Sequence, residues 1–302
     1  MITELSDRYN LVSGTFADGQ ARMIAADSTA AVRKALELHN TSPAATAALG
    51  RLLTGAMLMS CGLKNDTDSI SLIVKGSGPI KGIVAISDRA GNVRGYCTEP
   101  HCDLPLNKLG KLDVGGAVGA GVLTVIKDLG LKEPYSGTVE LVSGEIAEDL
   151  TYYFAASEQV PTALAAGVLV GPSDENLCGY DVAAAGGFMV QLMPGADESL
   201  IDTVSERISA LPPVTSMINA GVSPKELCED VLKDLKFELK EQKYASYRCK
   251  CSRARMEEGL LSLGKTELRK ILVEDRKADT FCHFCNTEYH FSEADLWRLL
   301  KR

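Results

Sequence analysis

The chain has 302 residues, of which 45% are hydrophobic, and carries a formal net charge of −8 at pH 7. A chain of this length and composition can bury a sizeable core and is expected to form more than one domain. The acidic balance, with a pI near 5.2, makes nucleic-acid binding unlikely as a function, since contacts to phosphate dominate the affinity of such proteins.

The sequence also predicts a compartment. It begins MITELSDRYNLVSG, with early acidic residues and no apolar region of the kind found in secretory signals. Uncharged stretches such as Val114–Ile126 fall short of the roughly 20 apolar residues that a membrane-spanning helix needs. Nine cysteines without an export signal are typical of a reducing cytosol. We therefore expect a cytoplasmic protein that does not enter a membrane.

Residues 1–195 are predicted to form an α/β core domain. The predicted helices are Ala30–His39, Ala44–Cys61 and Ile146–Ser157. The predicted strands are Ser69–Lys75, Ile80–Ser87, Asn92–Tyr96, Leu123–Lys127, Gly137–Val142, Ala163–Val170 and Gly187–Met193, the last two as central strands. Gly76-Ser77-Gly78-Pro79 between the first two strands predicts a hairpin. Leu123–Lys127 and Gly137–Val142 are predicted to form another antiparallel pair. Strands separated by hairpin-like turns, instead of by a helix after each strand, favour the α+β class, with a mixed or antiparallel sheet and helices on one side.

Residues 196–243 are predicted to be a helical linker. Glu198–Leu211 is predicted to be a helix that ends at Pro212-Pro213, and a second helix begins at Ser223-Pro224. The second helix is rich in charged residues, but its apolar residues can share one face: Leu227, Val231, Leu232, Leu235 and Leu239. This pattern fits an ordinary surface helix. It also fits a helix that packs reversibly, because few apolar contacts imply low local stability.

Four cysteines dominate the C-terminal residues 244–302. Cys249 and Cys251 form a C-x-C pair, and Cys282 and Cys285 form a C-x-x-C pair. Four thiolates complete a tetrahedral zinc site and leave no position for water or substrate. The sequence therefore predicts one Zn²⁺ per chain in a small zinc-binding domain. Since so short a segment builds a weak core, its folding is expected to depend on the metal.

The sulfurs themselves can also carry chemistry. With only Lys250 between them, Cys249 and Cys251 would face opposite sides of a strand, so the backbone must bend to bring both to one metal. Zinc keeps the sulfurs as thiolates, the form that oxidants attack. Without the metal three disulfide pairings are possible, and short loops close most easily, which favours Cys249–Cys251 and Cys282–Cys285. The residues alone fit both an inert zinc ribbon and a switch.

Basic residues near the cysteines could offset the formal charge of −2 on a zinc tetrathiolate. These residues are Arg248, Lys250, Arg253, Arg255 and His283. His283 and His290 could in principle replace a cysteine ligand, although four sulfurs make this unnecessary.

Other candidate sites are weaker. Cys97, His101 and Cys102 could form a metal or nucleophile cluster, but buried structural thiols are the commoner case. The same interpretation applies to the remaining cysteines, Cys61, Cys178 and Cys228.

Catalytic motifs are not evident. Gly115–Gly121 lacks the G-x-G-x-x-G spacing of a phosphate loop and is interpreted as a flexible or closely packed segment. Neither G-x-S-x-G nor H-E-x-x-H occurs, so no catalytic residues are assigned and the chain is not predicted to be an enzyme.

Two distant sets of motifs resemble one family. RCKCSRARMEEGLLSLGKTELRKIL, followed by FCHFCNTEYHF, resembles the zinc module of the redox-regulated 33-kDa heat-shock chaperones. Ser143–Leu164 and Ala184–Ala196 resemble core-domain motifs of the same family. The resemblance covers nearly the whole chain in the same order. One departure is Ala254, where the family usually has an acidic residue, which puts the charge balance near Cys251 and the oxidant sensitivity in doubt.

The resemblance implies an ATP-independent holdase for oxidative stress, inactive while reduced and zinc-bound. Oxidants would form disulfides Cys249–Cys251 and Cys282–Cys285, release zinc and unfold the module. The linker would then lose its docking and expose apolar surface to unfolding client proteins. The family also implies a homodimer in the oxidised state.

Two other hypotheses remain open from the residues. In the first, the chain is a constitutive zinc-binding module, possibly RNA-associated, from which the metal never leaves. In the second, which has little support, the α/β domain is an enzyme and the zinc ribbon is an accessory.

Overall fold

A computed structural model describes residues 9–102, 104–174, 179–197 and 199–302. The chain divides into two compact units, residues 1–248 and 249–302. The first unit is built on two antiparallel sheets and the second on a small hairpin with helices. None of the helices in these ranges is long and apolar enough to cross a membrane.

Each sheet of the first unit has five strands. The first sheet contains β1 (Leu11–Phe16), β2 (Ala21–Asp27), β8 (Thr162–Pro172), β9 (Tyr180–Leu192) and β10 (Glu238–Lys243), in the order β10-β1-β2-β9-β8. The second contains β3 (Ser69–Gly76), β4 (Gly82–Asp88), β5 (Val93–Cys97), β6 (Gly121–Asp128) and β7 (Tyr135–Glu140), in the order β5-β4-β3-β6-β7. All neighbouring strands are antiparallel.

Seven α-helices accompany these sheets in the described residues. They are α1 (Thr29–His39), α2 (Pro43–Ser60), α3 (Val114–Val118), α4 (Ala147–Tyr153), α5 (Ser199–Ser209), α6 (Val214–Asn219) and α7 (Pro224–Leu232). The helix predicted over Ile146–Ser157 is therefore α4, which continues as a π-helix over Phe154–Glu158. The α+β prediction with antiparallel sheets is confirmed.

Helix α2 lies at the centre of the unit. It begins with Pro43 directly after Ser42, and nearly all its residues are buried, as expected of a helix that is apolar on every side. It contacts strands of both sheets, so the prediction of helices on one side of a single sheet is wrong. Its glycines permit this packing, because a Cβ on Gly50 would lie 2.6 Å from Val168 Cγ2 in β8.

The hairpins at β3–β4 and β6–β7 are confirmed. The β1–β2 hairpin was missed by the sequence prediction, although Asp18-Gly19 at its turn is a common hairpin signal. Strand β9 is internal as predicted, whereas β8 is an edge strand and its prediction as central is wrong. A run of uncharged residues predicts burial but does not show how many neighbours a strand has.

Residues 199–232, which contain α5, α6 and α7, pack on one face of the first sheet. We call the side of this sheet that faces away from α2 the outer face, with Phe16, Met23, Phe188 and Val190 among its buried residues. The helices that cover it contribute buried apolar residues: Leu200, Val204, Val214, Ile218, Leu227, Val231 and Leu232. The predicted helix from Glu198 begins at Ser199, and Glu198 itself lies outside the described residues.

The second linker helix is shorter than predicted. A capping box of Ser223 and Glu226 begins α7, which ends after Leu232, where Lys233 takes a left-handed φ of 48°. The chain then forms β10 and pairs with β1. Leu239 is consequently 40% exposed on a strand instead of lying on the helix face with Leu227, so that part of the prediction is wrong. Alternating charges in ELKEQK suit an edge strand, and the pairing with β1 overrides the local helical pattern.

The second unit has a small core. It contains α8 (Arg253–Ser262), α9 (Lys265–Glu274), β11 (Ala278–Phe281), β12 (Glu288–Phe291) and α10 (Glu293–Leu300). The buried residues of its apolar core are Leu260, Leu268, Leu272, Ala278, Phe291, Leu296 and Leu299. So few apolar side chains provide limited stability, which agrees with the expectation that a metal contributes to folding.

Candidate metal and redox centre

Two segments of the second unit bring the four cysteines together. The antiparallel hairpin of β11 and β12 ends in a turn that holds Cys282 and Cys285. Within this turn the Cys282 carbonyl accepts hydrogen bonds from the N–H groups of Cys285 and Asn286, at 3.2 and 2.7 Å. Asn286 has a φ of 54°, a left-handed conformation that asparagine tolerates. The turn thereby directs both sulfurs to one side.

Cys249 and Cys251 lie in an irregular segment directly before α8. The absence of strand structure at these residues agrees with the predicted bend in the C-x-C pair. Ser252 caps α8 by accepting a hydrogen bond from the N–H of Arg255, which fixes where the helix starts. The cysteines are thus held between a helix N-terminus and a hairpin turn.

The sulfur atoms form a compact cluster. All four Sγ atoms lie within 4.8 Å of one another. The Sγ atoms of Cys249 and Cys282 are 3.6 Å apart, and those of Cys251 and Cys285 are 3.4 Å apart. These distances are far longer than a disulfide bond of about 2.05 Å. They are close to the edge of about 3.8 Å in a tetrahedron with zinc–sulfur bonds of about 2.3 Å.

The donor set therefore fits a closed tetrahedral metal site. Four soft sulfur donors in this arrangement favour Zn²⁺ over hard cations such as Mg²⁺ or Ca²⁺, which prefer oxygen. No other cluster of histidine, cysteine or carboxylate side chains suited to a metal occurs in the described part of the chain.

Two hydroxyl groups contact the sulfurs. The Tyr289 hydroxyl donates a hydrogen bond to Cys251 Sγ at 3.1 Å, and the Thr287 hydroxyl lies 3.2 Å from Cys285 Sγ. The hydrogen bond to Cys251 raises the pKa of Tyr289 to about 12, so its hydroxyl stays protonated as a donor. Sequence reasoning missed both residues, although they follow Cys285 closely in the FCHFCNTEYHF stretch.

The four thiols have unequal electrostatic surroundings. Burial raises the pKa of Cys249 and of Cys282, because it disfavours the charged thiolate. Burial acts in the same sense on Cys285, but hydrogen bonds from Thr287 and from neighbouring thiols outweigh it and lower the pKa to about 7. The hairpin half of the cluster therefore contains the thiol that ionises most readily among these three.

The neighbouring basic residues are engaged by protein groups. Arg253 pairs with Asp295 at 2.9 Å and lies over the Phe291 ring at 4.3 Å. Arg255 donates to the carbonyl of Lys250 at 2.9 Å. Ala254 is exposed in the first turn of α8, which contains no acidic residue, so the helix lacks the favourable charge that an acidic side chain would supply there.

The alternative histidine ligands lie elsewhere. His290 pairs with Asp279 at 2.8 Å and its side chain is 70% exposed. The His283 ring packs edge-on against Phe281, with 4.8 Å between the ring centres. The four-sulfur cluster contains neither histidine.

The other candidate sites are structural. Cys97, Cys102 and Cys228 are buried and His101 is exposed, while Cys178 lies outside the described residues. Cys61 is partly buried, and burial raises its pKa to about 11, which disfavours a reactive thiolate. The Gly115–Gly121 segment is closely packed, because a Cβ on Gly76 would lie 2.0 Å from the Val118 carbonyl oxygen.

Comparisons with known proteins agree with this arrangement. The family model described as Hsp33 protein matches residues 10–292. The 33 kDa chaperonin of Acetivibrio thermocellus is 48% identical over 291 residues, which cover 96% of each chain. The 33 kDa chaperonin of Geobacillus kaustophilus is 44% identical over 290 residues, again 96% of each chain.

A solved structure is also similar. The crystal structure of the 33 kDa chaperonin from Thermotoga maritima, a heat shock protein 33 homologue, superimposes with a TM-score of 0.86 and 38% sequence identity. The match covers 97% of this chain and 98% of that one. Family model, relatives and fold agree over nearly the full length, so the chain belongs to the Hsp33 family of heat-shock chaperones.

Proposed function

We propose that the chain is a redox-regulated, ATP-independent holdase that binds unfolding proteins under oxidative stress. The observation that carries this proposal is the four-thiol cluster in a unit with a small apolar core. Residues 1–195 would serve as the core domain, 196–243 as the linker and 244–302 as the zinc-binding switch domain.

The reduced state would hold one Zn²⁺ through Cys249, Cys251, Cys282 and Cys285. A bound zinc ion would supply the cross-link between the C-x-C segment and the hairpin that the small core does not provide. Hydrogen bonds from Tyr289 and Thr287 would orient the sulfurs and stabilise their thiolate form.

Oxidation would remove these ligands. For each disulfide, two thiolates give up two electrons to one peroxide molecule, which takes up two protons from solvent and forms two molecules of water. Two such steps consume all four donors, so the site no longer retains a metal and the second unit unfolds.

We propose the pairing Cys249–Cys251 and Cys282–Cys285. In the folded unit, sulfurs of the two halves also lie close together, Cys249 with Cys282 at 3.6 Å and Cys251 with Cys285 at 3.4 Å. Once the hairpin separates from the C-x-C segment, however, the short loops close at the smallest entropic cost. Mass spectrometry of proteolytic fragments from the oxidised chain distinguishes these pairings.

Unfolding of the second unit would also release the linker. The residues just before Cys249 are held within the first unit, since the Val93 N–H donates to the Ser246 carbonyl and the Arg248 N–H donates to the Val93 carbonyl. We infer that unfolding of the second unit frees this connection and then β10 and α5–α7. The outer face, with Phe16, Phe188 and Val190, would become available to apolar segments of clients.

The remaining assignments follow from the same proposal. The oxidised chain would form a homodimer, as exposed apolar surface favours association. It would act in the cytoplasm without a membrane or nucleic-acid partner and without catalytic residues.

The test treats reduced, zinc-loaded protein with peroxide at mildly elevated temperature. Released zinc is followed with a chromogenic chelator, and holdase activity by light scattering of a thermally unfolding client. We expect zinc release and suppression of aggregation to rise together. If zinc stays bound, or leaves with no gain in activity, the proposal fails; retained zinc would favour a constitutive structural site.

Cysteine variants locate the switch. Replacing Cys282 and Cys285 together by serine should abolish regulation by peroxide, because two of the four donors are lost. Cys61→Ser is the matched control, since this thiol lies outside the cluster, and it should switch like the unmodified chain. Unchanged regulation in the double variant would remove these residues from the mechanism.

A further inference from the structure

Strand β8 leaves one edge of the first sheet unpaired. It pairs with β9 on one side, and no strand lies on its other side in the described part of the chain. The strand has 11 residues, and every one of them is at least partly exposed. A bulge between Leu169 and Val170 limits the regular edge to residues 162–169. This edge is the longest of the four that the two sheets present.

The other three edges carry charges that discourage pairing with another chain. Strand β10 reads ELKEQK, β5 contains Arg94, and β7 contains Glu140. Strand β8 reads TALAAGVLVGP and has no charged residue. Long, uncharged, exposed edges are normally avoided because they pair with extended segments of other chains. The contrast within one protein indicates that the β8 edge is left open for a partner.

The register identifies the backbone groups that a partner would meet. The Leu192 N–H donates to the Pro161 carbonyl at 3.1 Å, so odd-numbered residues up to Leu169 direct their backbone groups towards β9. The N–H and C=O groups of residues 162, 164, 166 and 168 therefore point away from the sheet. Their spacing of two residues matches the hydrogen-bonding repeat of an extended chain.

A groove runs along this edge. The cavity has a volume of about 760 Å³ and is lined by consecutive residues 164–170. Its other lining residues include the apolar Leu106, Leu112 and Ala147 and the charged Arg51, Lys111 and Glu148. Its size falls within the range of ligand clefts, roughly 300–1,000 Å³. Leu106 and Leu109, in the adjoining loop, are 60% and 79% exposed, so apolar side chains border the groove.

The groove also adjoins the linker. Pro213–Ser216, at the start of α6, line one part of it. Thr215 packs so closely on Gly167 that a Cβ there would lie 2.7 Å from Thr215 Cγ2. Release of the linker would therefore join the groove to the outer face. One continuous surface would then offer both apolar contacts and backbone hydrogen bonds.

We propose that the β8 edge binds an extended, uncharged segment of an unfolded client by strand addition. The chemistry of the edge selects this partner: backbone donors and acceptors every second residue require an extended chain, and β8, which has no charged side chain, offers no ion pair to a charged segment. The inference rests on the proposed holdase function and names the site and the client feature it recognises.

The first test compares two peptides on the oxidised full-length chain. One is a fluorescein-labelled ten-residue peptide of alternating valine and threonine, and the other is N-methylated at alternate residues along one edge. Both have similar apolar side chains, but the second lacks the backbone donors on that edge. We expect binding, measured by fluorescence anisotropy, to weaken at least about tenfold on methylation, since several hydrogen bonds are lost. Equal affinities for the two peptides would overturn the inference.

The second test changes the edge itself. Ala166→Pro removes one outward N–H and leaves the pairing with β9 intact, and Leu169→Lys places a charge on the edge. Each should weaken peptide binding at least about tenfold. Leu131→Lys is the control: this residue is 68% exposed in the β6–β7 turn of the other sheet, and its variant should bind normally. Thermal melting checks that Ala166→Pro folds, and Leu169→Lys provides an independent result if it does not.

Two further readouts separate the outcomes. If sedimentation shows that Ala166→Pro abolishes dimerisation while peptide binding is unchanged, the edge serves a second copy of the chain and the inference is overturned. If the oxidised unmodified chain fails to suppress client aggregation, the holdase function fails. If it suppresses aggregation but both peptides bind equally, only the strand-addition inference fails.

Discussion

At the scale of single residues, the hydroxyl groups beside the sulfurs are the least expected feature. Tyr289 donates to Cys251, and Thr287 lies beside Cys285, so each half of the cluster has one hydroxyl contact. Groups around a metal ligand fix its orientation and tune its affinity. In this chain each half of the cluster has one hydroxyl group that can fix the orientation of a sulfur.

Tyr289→Phe should weaken zinc binding. The ring remains, but the hydrogen bond to Cys251 is lost, and loss of such a contact typically lowers metal affinity about 10–100-fold. Competition with a chromogenic chelator under reducing conditions measures the affinity directly. Tyr244→Phe is the matched control, as Tyr244 is 70% exposed in the first unit and outside the cluster. An unchanged affinity in Tyr289→Phe would show that the hydrogen bond is incidental.

At the scale of secondary-structure elements, the linker decides whether the outer face is covered. Helix α7 buries Leu227, Val231 and Leu232, and β10 then pairs with β1. The sequence predicted the start of α7 at Ser223-Pro224 correctly, but it extended the helix beyond Leu232, where α7 ends. It did not predict β10, because ELKEQK forms a strand only where β1 supplies the partner hydrogen bonds.

Leu232→Ala should activate the reduced, zinc-loaded chain in part. Leu232 is completely buried, and truncation of such a side chain costs about 2–5 kcal/mol, which weakens the packing of the linker on the outer face. Client aggregation assays without oxidant should show a gain in suppression. Leu239→Ala is the matched control, since Leu239 lies in the same linker but is 40% exposed.

Hydrogen exchange in Leu232→Ala and Leu239→Ala provides the result that would contradict this prediction. Hydrogen exchange of α7 amides should be faster in Leu232→Ala than in Leu239→Ala. If exchange is faster but the reduced variant remains inactive, a loosened linker is not sufficient for client binding.

At the scale of the whole molecule, the two units differ in what stabilises them. The first surrounds the buried helix α2 with two sheets, whereas the second has only a small cluster around Leu268, Leu296 and Leu299. A unit with so small a core depends strongly on its cross-link. The division between the units falls directly before Cys249, so all four cysteines of the cluster belong to the unit with the smaller core.

Chelation of zinc under reducing conditions should unfold the second unit while the core sheets persist. Hydrogen exchange should show loss of protection in α9 and α10 and retained protection in α2 and β9. Addition of zinc should restore the lost protection, which serves as the control for irreversible damage. Persistent protection of α10 after complete metal removal would contradict the dependence on the metal.

The sequence by itself determined the features that depend on local spacing. The two cysteine pairs predicted a four-sulfur cluster, and the structure brings Cys249, Cys251, Cys282 and Cys285 within 4.8 Å of one another. The turns and apolar runs predicted the β3–β4 and β6–β7 hairpins and the long helix α2. These features depend on residue spacing within short segments, where secondary-structure propensity and hydrophobic periodicity determine the local fold.

Only the tertiary structure decided the features that depend on distant partners. The division into two sheets, the central position of α2, the edge position of β8 and the strand β10 all require pairing or packing between segments far apart in the chain. The contact of Tyr289 with Cys251 belongs to the same group, because it joins residues 38 positions apart. Local sequence patterns fix which face of a segment is apolar, but backbone hydrogen bonds and side-chain packing between segments determine what that face meets.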